Sequence, residues 1–184
     1  MIPADKPENE KDRLQKLRDL GVLDTEAEKC FDRITRIVAK TIGVPISLVS
    51  LVDEDRQWFK SKYGIDASET PRDVAFCAHA ILEEEVFVVN DPEGDERFHD
   101  NPLVTEGPEI RFYAGAPLIT SDGYKLGTLC AIDDVRHYIS DEHKLLLQDL
   151  ASLVIDEIEL RNSNRSLQAE LEALKKAEPK KAAE

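Results

Sequence analysis

Two stretches of this chain, each a pair of apolar runs joined by a few turn residues, leave little choice about its architecture. Ile46 to Val52 reads ISLVSLV, then Asp53, Glu54 and Asp55 make a turn, and Gln57 to Tyr63 follows with Trp58 and Phe59. So short a connection cannot hold a crossover helix, so the second run must return antiparallel to the first. Phe112 to Ile119 and Tyr124 to Ile132 repeat the arrangement, with Ser121-Asp122-Gly123 at the turn, where glycine supplies the positive φ. The first run is apolar at both odd and even positions, which marks a central strand covered on both faces. The chain therefore has to build an antiparallel sheet and cover it twice.

The remaining segments supply the cover. Leu14, Leu17 and Leu20 lie three apart within Asn9 to Leu20, as on a short amphipathic helix that Gly21 ends. Asp24 and Thr25 are expected to begin a second helix, Thr25 and Glu28 having capping-box spacing ahead of Phe31, Ile34, Ile37, Val38 and Ile42; Gly43 and Pro45 stop it. Ile65 to Val86 loses strand character and reads as mixed loop and helix, with an apolar run from Val74 to Leu82 after Pro71. Val86 to Val89 is a short strand. Asn90 to Pro108, rich in Asp, Pro, Gly and Asn, is a long surface loop of the kind that is functional or mobile.

From Ser140, a capping residue, a single helix is expected from Asp141 to Lys176. Along it Leu146, Leu150, Leu153, Glu157, Leu160, Asn164, Leu167, Leu171 and Leu174 alternate steps of four and three. Such a heptad seam buries nothing unless another helix lies against it. The expectation is a parallel homodimer, with this helix and that of Asn9 to Leu20 bundled across a two-fold axis and Asn164 fixing register. The organisation read from the sequence is a flexible N-terminus over 1–8, one α+β domain over 9–161, a coiled-coil extension over 162–176 and a disordered tail over 177–184.

Charge narrows the partners. With 24 Lys and Arg against 38 Asp and Glu, the formal charge of −14 repels phosphate backbones and anionic lipid, so neither nucleic acid nor a membrane surface is an expected partner. A polar N-terminus and the absence of a long apolar run point to the cytoplasm. Cys30, Cys77 and Cys130 form no CxxC pair, so neither a disulfide framework nor a thiolate zinc site is indicated. The sequence has no GxGxxG, P-loop or HExxH pattern, and the chain reads as a non-enzyme.

Several motifs, in order, resemble the GAF domain, in particular the subgroup at the N-terminus of bacterial sensor histidine kinases and diguanylate cyclases. They are Gly21-Val-Leu-Asp-Thr25, Leu48-Val-Ser-Leu-Val-Asp53 with Arg56-Gln-Trp-Phe-Lys-Ser61, Ala75-Phe-Cys-Ala-His-Ala-Ile81, Arg111-Phe-Tyr-Ala-Gly-Ala-Pro-Leu118 and Leu126-Gly-Thr-Leu-Cys-Ala-Ile-Asp133. The resemblance implies an antiparallel sheet of five or six strands, with helices from both chain ends on one face. On the other it implies a ligand pocket, roofed here by Asp66 to Pro108. It further implies a bacterial signal-transduction sensor whose ligand occupancy passes through a dimeric C-terminal helix to a kinase or cyclase output domain.

Within that pocket the candidate ligand-binding residues are Trp58, Phe76, Cys77, His79, Arg111, Tyr113 and Cys130, the arginine as a partner for an anionic ligand. Cys77 and His79 could together attack, bind metal or carry a chromophore, yet residues two apart share a face only in a strand and diverge in a helix. Relatives that attach a bilin have Cys followed directly by His, whereas Ala78 intervenes here. Another branch reduces free methionine sulfoxide with pocket cysteines, and that is the enzymatic alternative. A ligand-free dimerisation module, its pocket filled by its own side chains, is the structural one. Neither the ligand nor any cofactor is legible.

Overall fold

The computed structural model describes residues 1–177. The elements are α1 (Glu10–Leu20), α2 (Lys29–Ile42), β1 (Ile46–Val52), β2 (Arg56–Tyr63), β3 (Glu69–Pro71), a 3-10 turn (Arg72–Val74), α3 (Phe76–Ala80), β4 (Phe87–Val89), α4 (Pro102–Thr105), β5 (Phe112–Ile119), β6 (Lys125–Asp133) and α5 (Asp141–Ala177). One six-stranded sheet has the order β3-β2-β1-β6-β5-β4, every neighbouring pair antiparallel. This is the GAF-like α+β architecture the motifs implied. The tail beyond residue 177 lies outside the described residues.

Alternation along the strands divides the interior into two layers. On one face Val49, Leu51, Trp58, Phe112, Ala114, Leu129 and Ala131 pack against Leu17 of α1, Phe31 and Val38 of α2, and Leu147, Val154 and Ile158 of α5. On the other Ile46, Leu48, Val52, Phe59, Tyr113, Cys130 and Ile132 meet α3, α4 and the loop carrying Phe98. The central strand is buried at every position, as its two-sided apolar pattern required.

Four local features depart from the sequence expectation. The second helix starts at Lys29 instead of Thr25, and no capping box forms: the Thr25 hydroxyl donates to Val22 O at 2.6 Å, and Glu28 is taken by a cation. That cation is the buried Lys60, whose ammonium lies 2.6 Å from Glu28 Oε1 and donates to Thr25 Oγ1 and Glu26 O at 2.8 and 2.7 Å. A charge-assisted bond of this kind outcompetes a neutral cap. A β-bulge explains how Lys60 gets there. Val49 pairs Ser61 and Ser50 pairs Phe59, so Lys60 is the extra residue and both it and Ser61 turn toward α2.

The stretch after Ile65 contains the short edge strand β3, and the long loop contains the one-turn α4. Finally, α5 offers two different stripes. Leu147, Leu150, Ala151, Val154, Ile155 and Ile158 face the sheet, so Leu150 belongs to the domain core and not to the seam. Leu153, Leu160, Leu167, Leu171 and Leu174 are each more than half exposed and form the outward row.

The N-terminal residues lie across the roof, where the Ile2 amide donates to Arg97 O at 3.1 Å. At the opposite end of the domain α5 is fastened as it leaves the body. Arg161 pairs with Glu28, and Arg165 Nη2 donates to Asp19 O and Leu20 O at 3.1 and 3.4 Å, two carbonyls at the C-terminus of α1.

Candidate functional site

The roof-side layer of the sheet brings together a set of polar side chains. Ser50 on β1, Thr128 and Cys130 on β6 and Tyr113 on β5 occupy roof-facing positions, and α3 lies across them with Cys77 pointing down. Gly115 is part of the reason they converge. It shares a face with Tyr113 two residues away, and a Cβ there would run into the Tyr113 hydroxyl. The ring lies along this notch and its hydroxyl reaches the sulfur. The Thr128 hydroxyl donates to Cys77 Sγ at 2.9 Å and the Tyr113 hydroxyl at 3.2 Å; Ser50 Oγ lies 3.4 Å from Thr128 Oγ1.

These bonds set the thiol chemistry. Burial pushes the Cys77 thiol up, but the polar groups gathered around it, with the Thr128 and Tyr113 hydroxyls bonded to the sulfur, outweigh it and hold the group down at about 7. Burial, together with the neighbouring Cys77 thiol, pushes Cys130 well up. Burial and the two neighbouring thiols do the same to Tyr113.

Because residues 76–80 are helical, Cys77 and His79 diverge. The His79 ring lies edge-on to Phe98 at 4.8 Å, and its Nε2 sits 3.1 Å from Ile2 O beneath the N-terminal segment. Burial and the nearby Arg97 guanidinium lower its pKa.

The space expected to be hollow is occupied by the chain itself. Phe76 and Phe98 stack at 4.0 Å, and Phe76 and Phe87 stand 5.2 and 6.0 Å from the Tyr113 ring. Phe76, Cys77, Tyr113 and Cys130 are each at most 2% exposed. An open cavity of about 290 Å³ lies instead on the outer surface, between Asn9, Arg13, Leu82 and Lys125.

Of the seven expected site residues, Phe76, Cys77, Tyr113 and Cys130 are brought together, and His79 joins them through Phe98. Trp58 is not among them. It precedes Phe59, and consecutive strand residues point to opposite faces, so Trp58 packs under the helices and Phe59 faces the roof. Arg111 stands at the rim, donating to Val104 O at 2.9 Å and lying 3.4 Å from Glu93, so its charge is already engaged.

Sequence reading missed Phe98, Thr128 and Asn101. The last caps α4 by accepting from the Leu103 amide at 2.9 Å and donates to Val74 O at 2.9 Å, tying the long loop to the approach of α3. Its Asn-Pro dipeptide was the available signal. Among the described residues no group of three or more His, Cys, Asp or Glu side chains is arranged to hold a metal ion.

A sheet with helices on one face and a looped roof on the other is a common fold, so comparison with known proteins decides its kinship. The family profile described as the GAF domain matches residues 26–158. The chain belongs to the GAF family. A curated relative, a cyclic di-GMP phosphodiesterase of Pseudomonas aeruginosa, is 42% identical over 160 residues, covering 86% of this chain and 27% of the relative. This GAF domain therefore corresponds to about a quarter of that protein's length.

Among solved structures, the GAF domain of a phosphoenolpyruvate-protein phosphotransferase from Coxiella burnetii superimposes with a TM-score of 0.64 at 15% identity, covering 85% of this chain and 98% of that one. A type II free methionine-R-sulfoxide reductase from Thermoplasma acidophilum does so with 0.57 at 13%, covering 69% and 88%. At such identities the likeness is one of fold.

Proposed function

We propose that this GAF domain is a regulatory sensor module, answering a small molecule that binds beneath the roof and passing that state through a paired α5 to an output domain. The observation that carries the reading is the division of α5. Its first half is built into the sheet-covering core, while its second half continues with Leu160, Leu167, Leu171 and Leu174 exposed in one row. A leucine row at heptad spacing is stable in water only against a partner helix, and a second copy supplies one in register. The kinship with a phosphodiesterase of which the matched region is only 27% supports an output domain elsewhere in a larger polypeptide or in a partner protein.

The coupling path is short. Cys77 joins the roof helix to β5 and β6 through Tyr113 and Thr128, and the other faces of those strands carry α5. A ligand entering beneath the roof has to part the Phe76–Phe98 stack, which displaces α3 relative to those strands. It shifts the exit of α5 only to the extent that it prefers one of the two arrangements. Sedimentation equilibrium tests the pairing: the reading requires a dimer at micromolar concentration, and monomer alone at high micromolar concentration refutes it.

The closed aromatic interior favours a second reading, a dimerisation module that needs no ligand. A thermal-shift screen separates the two. A ligand at 100 times its Kd adds about 2.7 kcal/mol to stability, whereas a self-filled module responds to nothing. The reductase alternative requires turnover of free methionine sulfoxide that is lost in Cys77→Ser.

A further inference from the structure

We propose that Cys77 and Cys130 form a redox-active pair, in which Cys77 is the site of attack on a hydroperoxide and Cys130 resolves the product into a disulfide joining α3 to β6. Three features of the geometry point there. Two hydroxyl donors, Thr128 at 2.9 Å and Tyr113 at 3.2 Å, converge on one sulfur, an arrangement that stabilises negative charge on it and on an oxygen bound to it. Cys130 faces the roof two residues beyond Thr128 on β6 and opposite Gly115, whose notch holds the Tyr113 hydroxyl, so a second buried thiol stands beside the same sulfur. The cluster has no packing reason to be polar: it sits inside an otherwise apolar layer of Leu48, Phe59, Phe76, Phe98 and Ile132, where a hydroxyl costs stability unless bonded.

The chemistry closes without any further reagent. The Cys77 sulfur attacks one peroxide oxygen; an S–O bond forms, the O–O bond breaks, and the departing oxygen takes up the thiol proton and leaves as an alcohol, or as water from hydrogen peroxide. Sulfur is oxidised by two electrons and the peroxide reduced by two. Cys130 then attacks the sulfenic sulfur; the S–S bond forms, the S–O bond breaks, and hydroxide leaves with the Cys130 proton as water. In sum, two thiols and one hydroperoxide give one disulfide, one alcohol and one water.

Hydrogen peroxide is close to water in size, and α3 is a single short helix of five residues flanked by irregular chain, so a local opening suffices to admit it. The product ties the roof helix to the central sheet at the point through which the sensor reading routes its signal.

Cys30 provides an internal control. It lies on α2, is more exposed than the pair, and has its thiol pushed up by burial and by nearby Glu157 and Glu28. Exposure alone would send the oxidant to Cys30 first. The test treats the intact, reduced chain with hydrogen peroxide in native buffer, quenches with an alkylating reagent and maps the peptides by mass. The expected result is a Cys77–Cys130 cross-link with Cys30 still alkylated.

Cys130→Ser should halt at a Cys77 sulfenic acid captured by dimedone, and Thr128→Val should slow Cys77 oxidation by about tenfold, the worth of one hydrogen bond to an ionised acceptor. Oxidation of Cys30 ahead of Cys77, or Cys77 and Cys130 remaining free thiols until urea unfolds the chain, overturns the proposal. The wild-type map decides this even if neither variant folds.

Discussion

Replacing Phe98 by alanine tests whether the space beneath the roof is solid. Phe98 is 1% exposed and contacts four side chains through its ring: Phe76 stacked at 4.0 Å, His79 edge-on at 4.8 Å, Phe87 at 6.4 Å and the Arg97 guanidinium at 5.2 Å. Truncating a buried phenylalanine removes its transfer free energy and leaves a cavity, together costing about 3–5 kcal/mol. That is a large part of the ~5–15 kcal/mol by which a domain is stable. With a urea dependence of about 2 kcal/mol per molar, the midpoint of unfolding should fall by about 2 M at unchanged slope.

The cavity would be lined by Phe76, Phe87 and the apolar part of the layer beneath, and dry apolar cavities of this size accept benzene. Added benzene should therefore restore part of the loss in Phe98→Ala and none in the wild type. Circular dichroism in the helical band follows both experiments. A loss below about 1 kcal/mol, or an equal response of the wild type to benzene, would mean that a hollow already exists beneath the roof and would refute the packing argument.

Three further perturbations separate the charged contacts and the exposed row. Glu28→Gln leaves the buried Lys60 without its anionic partner and should cost about 3 kcal/mol in urea unfolding, whereas Arg161→Gln, on the half-exposed side of the same carboxylate, should cost less than about 1 kcal/mol; equal losses would refute the asymmetry. Burial pushes Glu10 up, but its bonds to Arg13 and Arg72 more than offset this and lower its pKa from 4.5 to about 2. The stabilisation is present in full above 4.5 and lost as the pH falls toward 2, so the stability gap between wild type and Glu10→Gln should narrow over that window; a constant gap contradicts it. Leu160→Glu with Leu167→Glu should convert dimer to monomer in sedimentation while shifting urea unfolding of the body by less than about 0.5 kcal/mol, because both side chains are exposed in the single chain.

What the sequence disclosed and what it concealed follow physical lines. Strand pairs joined by short turns, and helices closed by Gly21 and Gly43 in the left-handed region, are local, and their boundaries were legible within a residue or two. The start of α2 was not, because a buried ammonium from a strand more than thirty residues away claims Glu28, and the bulge that delivers Lys60 leaves no mark in the residue pattern. Trp58 is the strand aromatic expected in the pocket, yet Phe59 is the one that faces it; which of the two does so depends on the register of β2 against β1. On α5 two overlapping stripes share Leu150, and only the sheet reveals which leucines it claims. The thiol cluster gathers Ser50, Cys77, Tyr113, Thr128 and Cys130 from three strands and a helix, and the resemblance drew attention to three of the five.

The sensor proposed above is a pair of chains joined through α5 and responsive to a small molecule beneath the roof. Native mass spectrometry of freshly purified, unheated protein addresses both halves in one spectrum. The expected spectrum shows the mass of two chains, with a fraction carrying additional mass that denaturation releases. A spectrum of single chains at the mass of the bare sequence, across the micromolar range, would contradict it.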